Sequence, residues 1–487
     1  MTDDFSARPP RILTTEQRQA RDAQRKVEAK EAMRDHEIAQ KPFHENRERL
    51  KALRWRAKPL QANDPGRVTR MTAGRPSDGT RPSGMRCDVA VIGAGTAGLV
   101  AERAARQAGA KTLLIDDGFA GTTCTTVGCM PSKLLIAAAN AAKSVRKAAT
   151  FGIGALEPAI DGHAVMARLR EERDGFVAAT LRSIDEIPTG IRLRQHARFT
   201  GRTTLALGDG TTVSAKAIVI ATGARPSVPK VFEPLGDLVL TNESVFELPT
   251  LPGSIAVVGA GPLGLELAQA FVRLDVDTEV FEQSDHVGSL RDPDVAKEVK
   301  KVIGEELIMH FGVKLKATRD GDLVRLAWSG ASSGEKSFAR VLVAAGRPPE
   351  LHDLNLVATG IGVDDRGIPI VDEATLQCGD APIFLAGDAD GTRPVLHEAS
   401  FEGFIAGRNA AAYPDVRPTK RATPISIMFT DPPLAVVGAH RSDEALTGLA
   451  SYADQGRAKV DACNAGGTAA GRRARPSSDP RWITSPI

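Results

Sequence analysis

Two doubly wound α/β domains, followed by a smaller α+β domain, are what this sequence predicts, and three observations carry the expectation. Apolar runs such as 88–92 (Asp-Val-Ala-Val-Ile) and 217–221 (Ala-Ile-Val-Ile-Ala) are continuous rather than alternating, as in strands buried on both faces. Each run leads into a turn of small residues. A strand–glycine turn–helix–strand–acid unit occurs twice, as Gly93-Ala94-Gly95-Thr96-Ala97-Gly98 with Asp116 and as Gly259-Ala260-Gly261-Pro262-Leu263-Gly264 with Glu282, at the same internal spacing.

Bulk properties are compatible with this. At 487 residues the chain is long enough for roughly three domains of ~150 residues. Apolar residues make up 42% and aromatics only 4%, so the core is aliphatic. A net charge of +3 points to no particular partner. Five cysteines suit a reducing compartment, where a disulfide is more often catalytic than structural. No apolar run approaches the ~18 residues of a membrane span, and the charged N-terminus lacks a signal-peptide core. The expectation is a soluble, cytoplasmic protein with no membrane and no metal site.

Residues 1–85 precede the first domain. Thr14 and Gln17 are spaced as a capping box for a charged helix to about Gln40; Pro42 ends it, and a second short helix fits 43–57. Apolar residues are too few for a core. Lys+Arg exceed Asp+Glu by 7 over 1–85, so the rest of the chain carries about −4. The reading is a charged, basic helical extension over 1–58 and a disordered linker over 59–85, with Met85 a candidate start of translation. A basic arm suits nucleic acid or an acidic partner; a solvated appendage is the expected role, and nucleic acid is not an expected partner.

The strand at 88–92 opens the first unit. An Ala-rich helix follows to about 107, and a second strand, 112–115, ends at Asp116. Glycines at 93, 95 and 98 let the backbone approach a pyrophosphate at the helix N-terminus, and an acid about 20 residues on can accept from a ribose hydroxyl. Next comes Gly121-Thr-Thr-Cys124-Thr-Thr-Val-Gly-Cys129-Met-Pro-Ser-Lys133. Two residues, not four, usually separate paired zinc-binding cysteines, and no second ligand pair is present. A Cys-x4-Cys loop can close as a small disulfide if the first helical turn is distorted, which Gly128 permits, and Pro131 suits a first turn. Such a helix start stabilises a thiolate, so the pair is read as redox-active, the alternative being two unpaired core cysteines. A helix is expected over 133–148, a mixed region with several short strands over 151–220, and a buried strand with its turn over 217–223. The second unit spans 255–282. Glu282 there accepts from a ribose 2′-OH and repels a 2′-phosphate, favouring NAD. Asp275 stands where a helix-ending glycine is usual. Segments 341–349 and 383–388 read as strand plus turn, and 425–438 as opening strands of a third domain. From Cys463 the sequence is patternless.

With both glycine units flanking Gly-Thr-Thr-Cys-x4-Cys-Met-Pro-Ser-Lys, residues 86–460 resemble the pyridine nucleotide–disulfide oxidoreductases, and most of all their dihydrolipoamide dehydrogenase branch. Ala221-Thr222-Gly223 and Leu385-Ala386-Gly387-Asp388 match that family's other flavin motifs. The resemblance implies FAD and NAD as cofactors and a fold divided into an FAD domain (86–250 and 376–420), an NAD domain (251–375) and an interface domain (421–487). It further implies that Cys129 lies against the flavin as charge-transfer thiolate, that Cys124 exchanges with substrate, and that Lys133 pairs with Glu266 near the flavin N5. Thr123, Thr222, Gly223, Gly387 and Asp388 are implied to hold the flavin, and Gly259, Gly261, Gly264, Glu282 and Gly346 to line the nucleotide sites. The implied partners are a dithiol substrate, such as the lipoyl domain of a 2-oxo-acid dehydrogenase complex, and a second subunit. Departures from the pattern are Thr122 for a second glycine and Thr126 for an Asn. No His-Pro pair exists anywhere in the chain, so the family's His-Pro…Glu base is not recognisable and the interface domain is expected to be incomplete; His397-Glu398 is the available substitute. The alternatives are another NADH-dependent disulfide or quinone reductase, or a crippled flavoprotein.

Overall fold

The computed structural model describes residues 84–438, apart from 289, 291 and 292, and the pairing of strand 449–453 with 457–461. The chain divides into units 1–78 and 79–487, and all the described elements belong to the second. The helices and linker expected before residue 84, and the patternless tail from 463, lie outside the described residues.

The first sheet takes β1 (Gly84–Ile92), β2 (Thr112–Asp116), β3 (Arg192–Arg194), β4 (Ala197–Gly201), β5 (Thr204–Leu207) and β6 (Thr212–Ile220) in the order β3-β2-β1-β6-β5-β4. A strand from much later in the chain, Ile383–Leu385, pairs parallel with β6. The β1 strand begins at Gly84, so Met85 lies inside it, paired with Val213. Val89, Val91, Val219 and Ile220 are fully buried, as continuous apolar runs require. A second sheet, wholly parallel, contains β7 (Val239–Leu240), β8 (Ser254–Val258), β9 (Asp277–Phe281), β10 (Ile308–His310) and, later in the chain, Arg340–Val343. Between them β11 (Val313–Asp320), β12 (Leu323–Gly330) and β13 (Gly334–Phe338) form an antiparallel three-stranded sheet. In chain order Arg340–Val343 is β14, Ile383–Leu385 is β15, and an antiparallel hairpin of β16 (Ile425–Met428) and β17 (Leu434–Val437) comes next. Mixed α/β architecture with two parallel-centred sheets is thus the fold.

The crossovers between sheets fall where their side chains pack. β7 lies before position 250 yet belongs to the second sheet. Leu351, Leu354 and Ile368 lie after β14 but bury themselves against β1, β6 and β15 in the first core. The chain therefore returns to the first sheet soon after β14, well before residue 376.

Helices cover the sheets: α1 (Thr96–Gln107), α2 (Thr123–Thr126), α3 (Cys129–Lys147), α4 (Gly162–Asp185), α5 (Pro262–Arg273), α6 (Pro293–Ile303) and α7 (Leu396–Ala412). The mixed region expected over 151–220 consists of the 24-residue α4 followed by the strands β3 to β6, which begin at Arg192. Asp161 caps it, accepting from Ala164 N at 3.0 Å. Met166, Leu169, Arg173 and Val177 line its buried face at spacings of three and four. Asp275, in the glycine-like position after α5, adopts φ 63° and binds Arg146 Nη2 at 2.7 Å.

Helix α7 crosses α1 at close range because Gly403 and Gly407 carry no side chain. A Cβ at either would sit 2.3 Å from Ala97 O or 2.2 Å from Ala101 O. Gly403→Ala is therefore expected to cost about 1–3 kcal/mol through forced separation of the helices. Gly175→Ala, in the middle of α4 with nothing within 4 Å of a new Cβ, is expected to stabilise by about 0.5–1 kcal/mol. Urea midpoints moving in opposite directions bear this out; equal midpoints contradict it.

Candidate functional site

The two glycine units fold alike to the level of single atoms. In each, the first glycine is left-handed (Gly93 φ 101°, Gly259 φ 108°) and donates to the end of the neighbouring strand at 2.8 Å. A Cβ there would strike a carbonyl on the next strand's turn, Ala221 O at 2.3 Å or Ala344 O at 2.5 Å. A Cβ on the third glycine would strike the carbonyl of the first, at 1.8 Å from Gly98 and 2.1 Å from Gly264. The middle glycines differ: Gly95 and Gly261, which start α1 and α5 without any side-chain cap, face nothing within 4 Å. The outer glycines are thus needed for internal packing, while the middle ones keep open space at a helix N-terminus, as a pyrophosphate needs.

The acids match too. Asp116 accepts from Ala94 N (2.8 Å), Gly118 N (2.8 Å) and Phe119 N (2.6 Å). Glu282 accepts from Ala260 N, Ser284 N and Ser284 Oγ, each at 2.9 Å. Both carboxylates are fixed at the glycine turn, at the end of the adjacent strand, with lone pairs left for a ribose hydroxyl.

Between the two units lies the cysteine pair. Thr122 starts α2, accepting from Thr125 N at 3.4 Å, and Thr126 Oγ1 donates to Thr122 O at 2.8 Å. The two threonines that depart from the family pattern therefore bind each other across this short helix. Gly128 starts the next helix in tight quarters, since a Cβ there would lie 2.8 Å from Thr123 O. Cys129 begins the 19-residue α3. Both cysteines are free thiols, Cys124 buried and Cys129 exposed. Their acidities split. Cys129 is pulled down from 9.0 to about 6 by the Cys124 thiol that hydrogen-bonds it, assisted by the Lys133 ammonium against burial. Cys124 is pushed upward by the same hydrogen bond and by burial.

Lys133, one turn after Cys129, pairs with Glu266 at 2.7 Å, as the resemblance implied; Glu266 is 4% exposed and lies on α5 just after Gly264. The cysteine segment and the second glycine unit thus meet in one place. The turns after β6, β14 and β15 and the start of α2 hold the other implied residues. Thr222 Oγ1 is buried with no hydrogen-bond partner, a polar atom that a bound group can satisfy. Gly223 (φ 75°), Gly346 (φ 129°) and Gly387 (φ 73°) are all left-handed, and Gly387 N donates to buried Glu402 at 2.7 Å. Burial pushes the Asp388 carboxyl up, and Arg347, 3.2 Å away, pulls it back. Thr123 is exposed in the first turn of α2.

Sequence reasoning missed Arg347, Arg421 and Glu402. Arg347 ties the turn after β14 to Asp388 and to Ala224 O (2.8 Å); a lone charge between Gly346 and two prolines was the available signal. Arg421 bonds both Glu398 (2.5 Å) and Glu402, so Glu398 is committed while its neighbour His397 stands exposed. The pair does not form a His–Glu dyad.

Residues 87–403 match the family model for pyridine nucleotide-disulphide oxidoreductase. Over 363 residues the chain is 33% identical to a dihydrolipoyl dehydrogenase of Chlamydia muridarum, covering 72% of this chain and 75% of the relative. It is 31% identical over 379 residues to a mercuric reductase of Streptomyces lividans, covering 74% and 78%. The HOCl-induced flavoprotein disulfide reductase RclA of Escherichia coli superposes with a TM-score of 0.62 at 21% identity, covering 73% of this chain and 78% of that one.

The site predicts that Cys129 ionises with a midpoint near pH 6 and is mostly thiolate at pH 7. In Lys133→Met the midpoint moves up, because a stabilising cation is gone. The pH profile of Cys129 alkylation, read by peptide mass spectrometry, checks both. An unshifted profile in the variant rules out the electrostatic role of Lys133.

Proposed function

This chain belongs to the pyridine nucleotide-disulphide oxidoreductase family, and from that premise we propose that it passes electrons between a dithiol/disulfide substrate of dihydrolipoamide type and NAD, through the Cys124–Cys129 pair and FAD. It is an oxidoreductase, and its homologues use FAD and NAD(H). The observation that carries the reading is the junction of the acid-shifted cysteine with the second nucleotide unit through Lys133 and Glu266.

Each step falls to a named residue. A substrate thiolate attacks Cys124 Sγ of the disulfide; the Cys124–Cys129 bond breaks, and Cys129 leaves as a thiolate. A low pKa makes Cys129 the better leaving group. The second substrate thiol then attacks the mixed disulfide, releasing oxidised substrate, and Cys124 takes the proton that its raised pKa favours. The split in acidity supports this division of roles. Bound FAD supplies the two-electron exchange between this thiolate and the nicotinamide. For FAD, Gly93, Gly95, Gly98, Asp116, Thr123, Lys133, Thr222, Gly223, Gly387 and Asp388 form the holding set; for NAD, Gly259, Gly261, Gly264, Glu282 and Gly346 do. Among the described residues no helix is long and apolar enough to cross a membrane.

A second reading, an NADH-dependent disulfide or quinone reductase, is favoured by one observation. The sequence holds no His-Pro pair, and His397 is not oriented by Glu398. Dihydrolipoamide oxidation by NAD, compared with quinone reduction by NADH on one preparation, decides between them: quinone turnover without dihydrolipoamide turnover selects the second.

Cofactor choice follows from Glu282, whose carboxylate would face a 2′-phosphate. NADH is expected to reduce the bound flavin at least ten-fold faster than NADPH, about 1.4 kcal/mol of discrimination, and Glu282→Arg to narrow or reverse the preference. Equal stopped-flow rates for both cofactors in the parent contradict this.

A further inference from the structure

The Lys133–Glu266 pair has a third partner from outside either nucleotide unit. Phe429, just after β16, donates its backbone N–H to Glu266 Oε1 at 2.8 Å, leaving Oε2 for Lys133 at 2.7 Å. Its ring lies beneath the Lys133 ammonium, 4.3 Å from nitrogen to centroid. The ammonium is therefore held between a carboxylate and the negative face of an aromatic ring, a geometry attractive on both sides.

The segment carrying Phe429 is locked in register. Asp431 N donates to Gln269 Oε1 at 2.7 Å, and Gln269 Nε2 donates back to Asp431 O at 3.0 Å. Asp431 Oδ2 pairs with Lys143 at 2.9 Å and with Arg273 at 3.2 Å. Glu266, Gln269 and Arg273 occupy one face of α5 at helical spacing and are 4%, 3% and 5% exposed. This buried polar face of α5 receives residues 429–431, and Lys133 and Lys143 of α3 complete the contact. Such fixing exceeds what a passing loop needs.

We propose that Phe429 is a positioning residue for the reactive cysteine: by seating the Lys133 ammonium against Glu266, it sets how strongly Lys133 stabilises the Cys129 thiolate. The charged and titratable groups acting on Cys129 are Cys124, Lys133 and Glu266. Of these only Lys133 has the freedom to swing away, its side chain being 35% exposed. The ring restrains that swing, so losing the ring lets the cation drift and the thiolate lose its support.

The inference rests on the proposed redox function, and its test separates the two. The FAD-loaded full chain is reduced anaerobically by one electron pair, and the long-wavelength absorption of a thiolate beside oxidised flavin is titrated with pH. Phe429→Leu is expected to raise the midpoint by roughly half a pH unit, and Phe429→Tyr to leave it unchanged. Lys133→Met raises it on its own and makes Phe429→Leu silent when the two are combined. A Phe429→Leu midpoint equal to the parent's overturns the inference, as does a shift that persists undiminished in the Lys133→Met background. Should Phe429→Leu fail to retain FAD, Phe429→Trp is titrated instead: a parent-like midpoint supports the inference, and one matching Lys133→Met overturns it. Absence of the band from the parent at every pH would instead sink the redox reading.

Discussion

The ion pair between Lys133 and Glu266 is the contact on which the site depends, because it joins the cysteine helix to the second nucleotide unit through charge one turn from Cys129. Glu266 is buried, so removing its cation would strand a carboxylate in low dielectric. Breaking a fully buried pair in this way costs about 3–5 kcal/mol; the cost here is smaller, since Lys133 is a third exposed. The energetic worth of the pair is secondary to what it fixes. It holds a positive charge one helical turn from Cys129, at the N-terminus of α3, where partial positive charge from the helix already favours an anion. The Cys124 thiol adds the largest part, donating to the Cys129 sulfur. Three modest effects on one sulfur yield an acid-shifted cysteine beside an acid-resistant one.

The duplicated glycine units supply the frame. Their outer glycines fail any side chain for steric reasons internal to the fold, whereas the middle glycines face open space. The distinction matters when the repeat is interpreted. A chain could retain the first and third glycines purely to pack helix on strand. Open space at Gly95 and Gly261, with a fixed carboxylate at each neighbouring strand end, is the part that speaks for a ligand. The partnerless Thr222 hydroxyl beside the first unit points the same way.

Much of this is legible in the sequence because it depends on local chemistry. Spacing alone places Asp116 and Glu282 at their strand ends and Gly128 at the break between α2 and α3. The Lys133–Glu266 contact comes from the family resemblance, and the geometry bears it out. What is not legible depends on tertiary contacts. Helix α4 does not stand out within the mixed region because Phe176, Val177 and Thr180 dilute its helical pattern, although Met166, Leu169, Arg173 and Val177 carry the period. The domain crossing near 344–350 is hidden because Leu351, Leu354 and Ile368 look like any loop hydrophobics until the first core claims them. Arg347, Arg421 and Phe429 act only across long chain separations, and single-sequence patterns record no such pairing.

The central claim is that the cysteine pair and the flavin form one electron-accepting unit. An anaerobic reductive titration of the FAD-loaded chain tests it most directly. A functioning pair makes the chain accept twice the electrons that its flavin alone can hold, and Cys124→Ser halves that capacity without loss of FAD. Uptake in the parent that stops at the capacity of the flavin, with Cys124 and Cys129 equally alkylatable before and after reduction, would contradict the account.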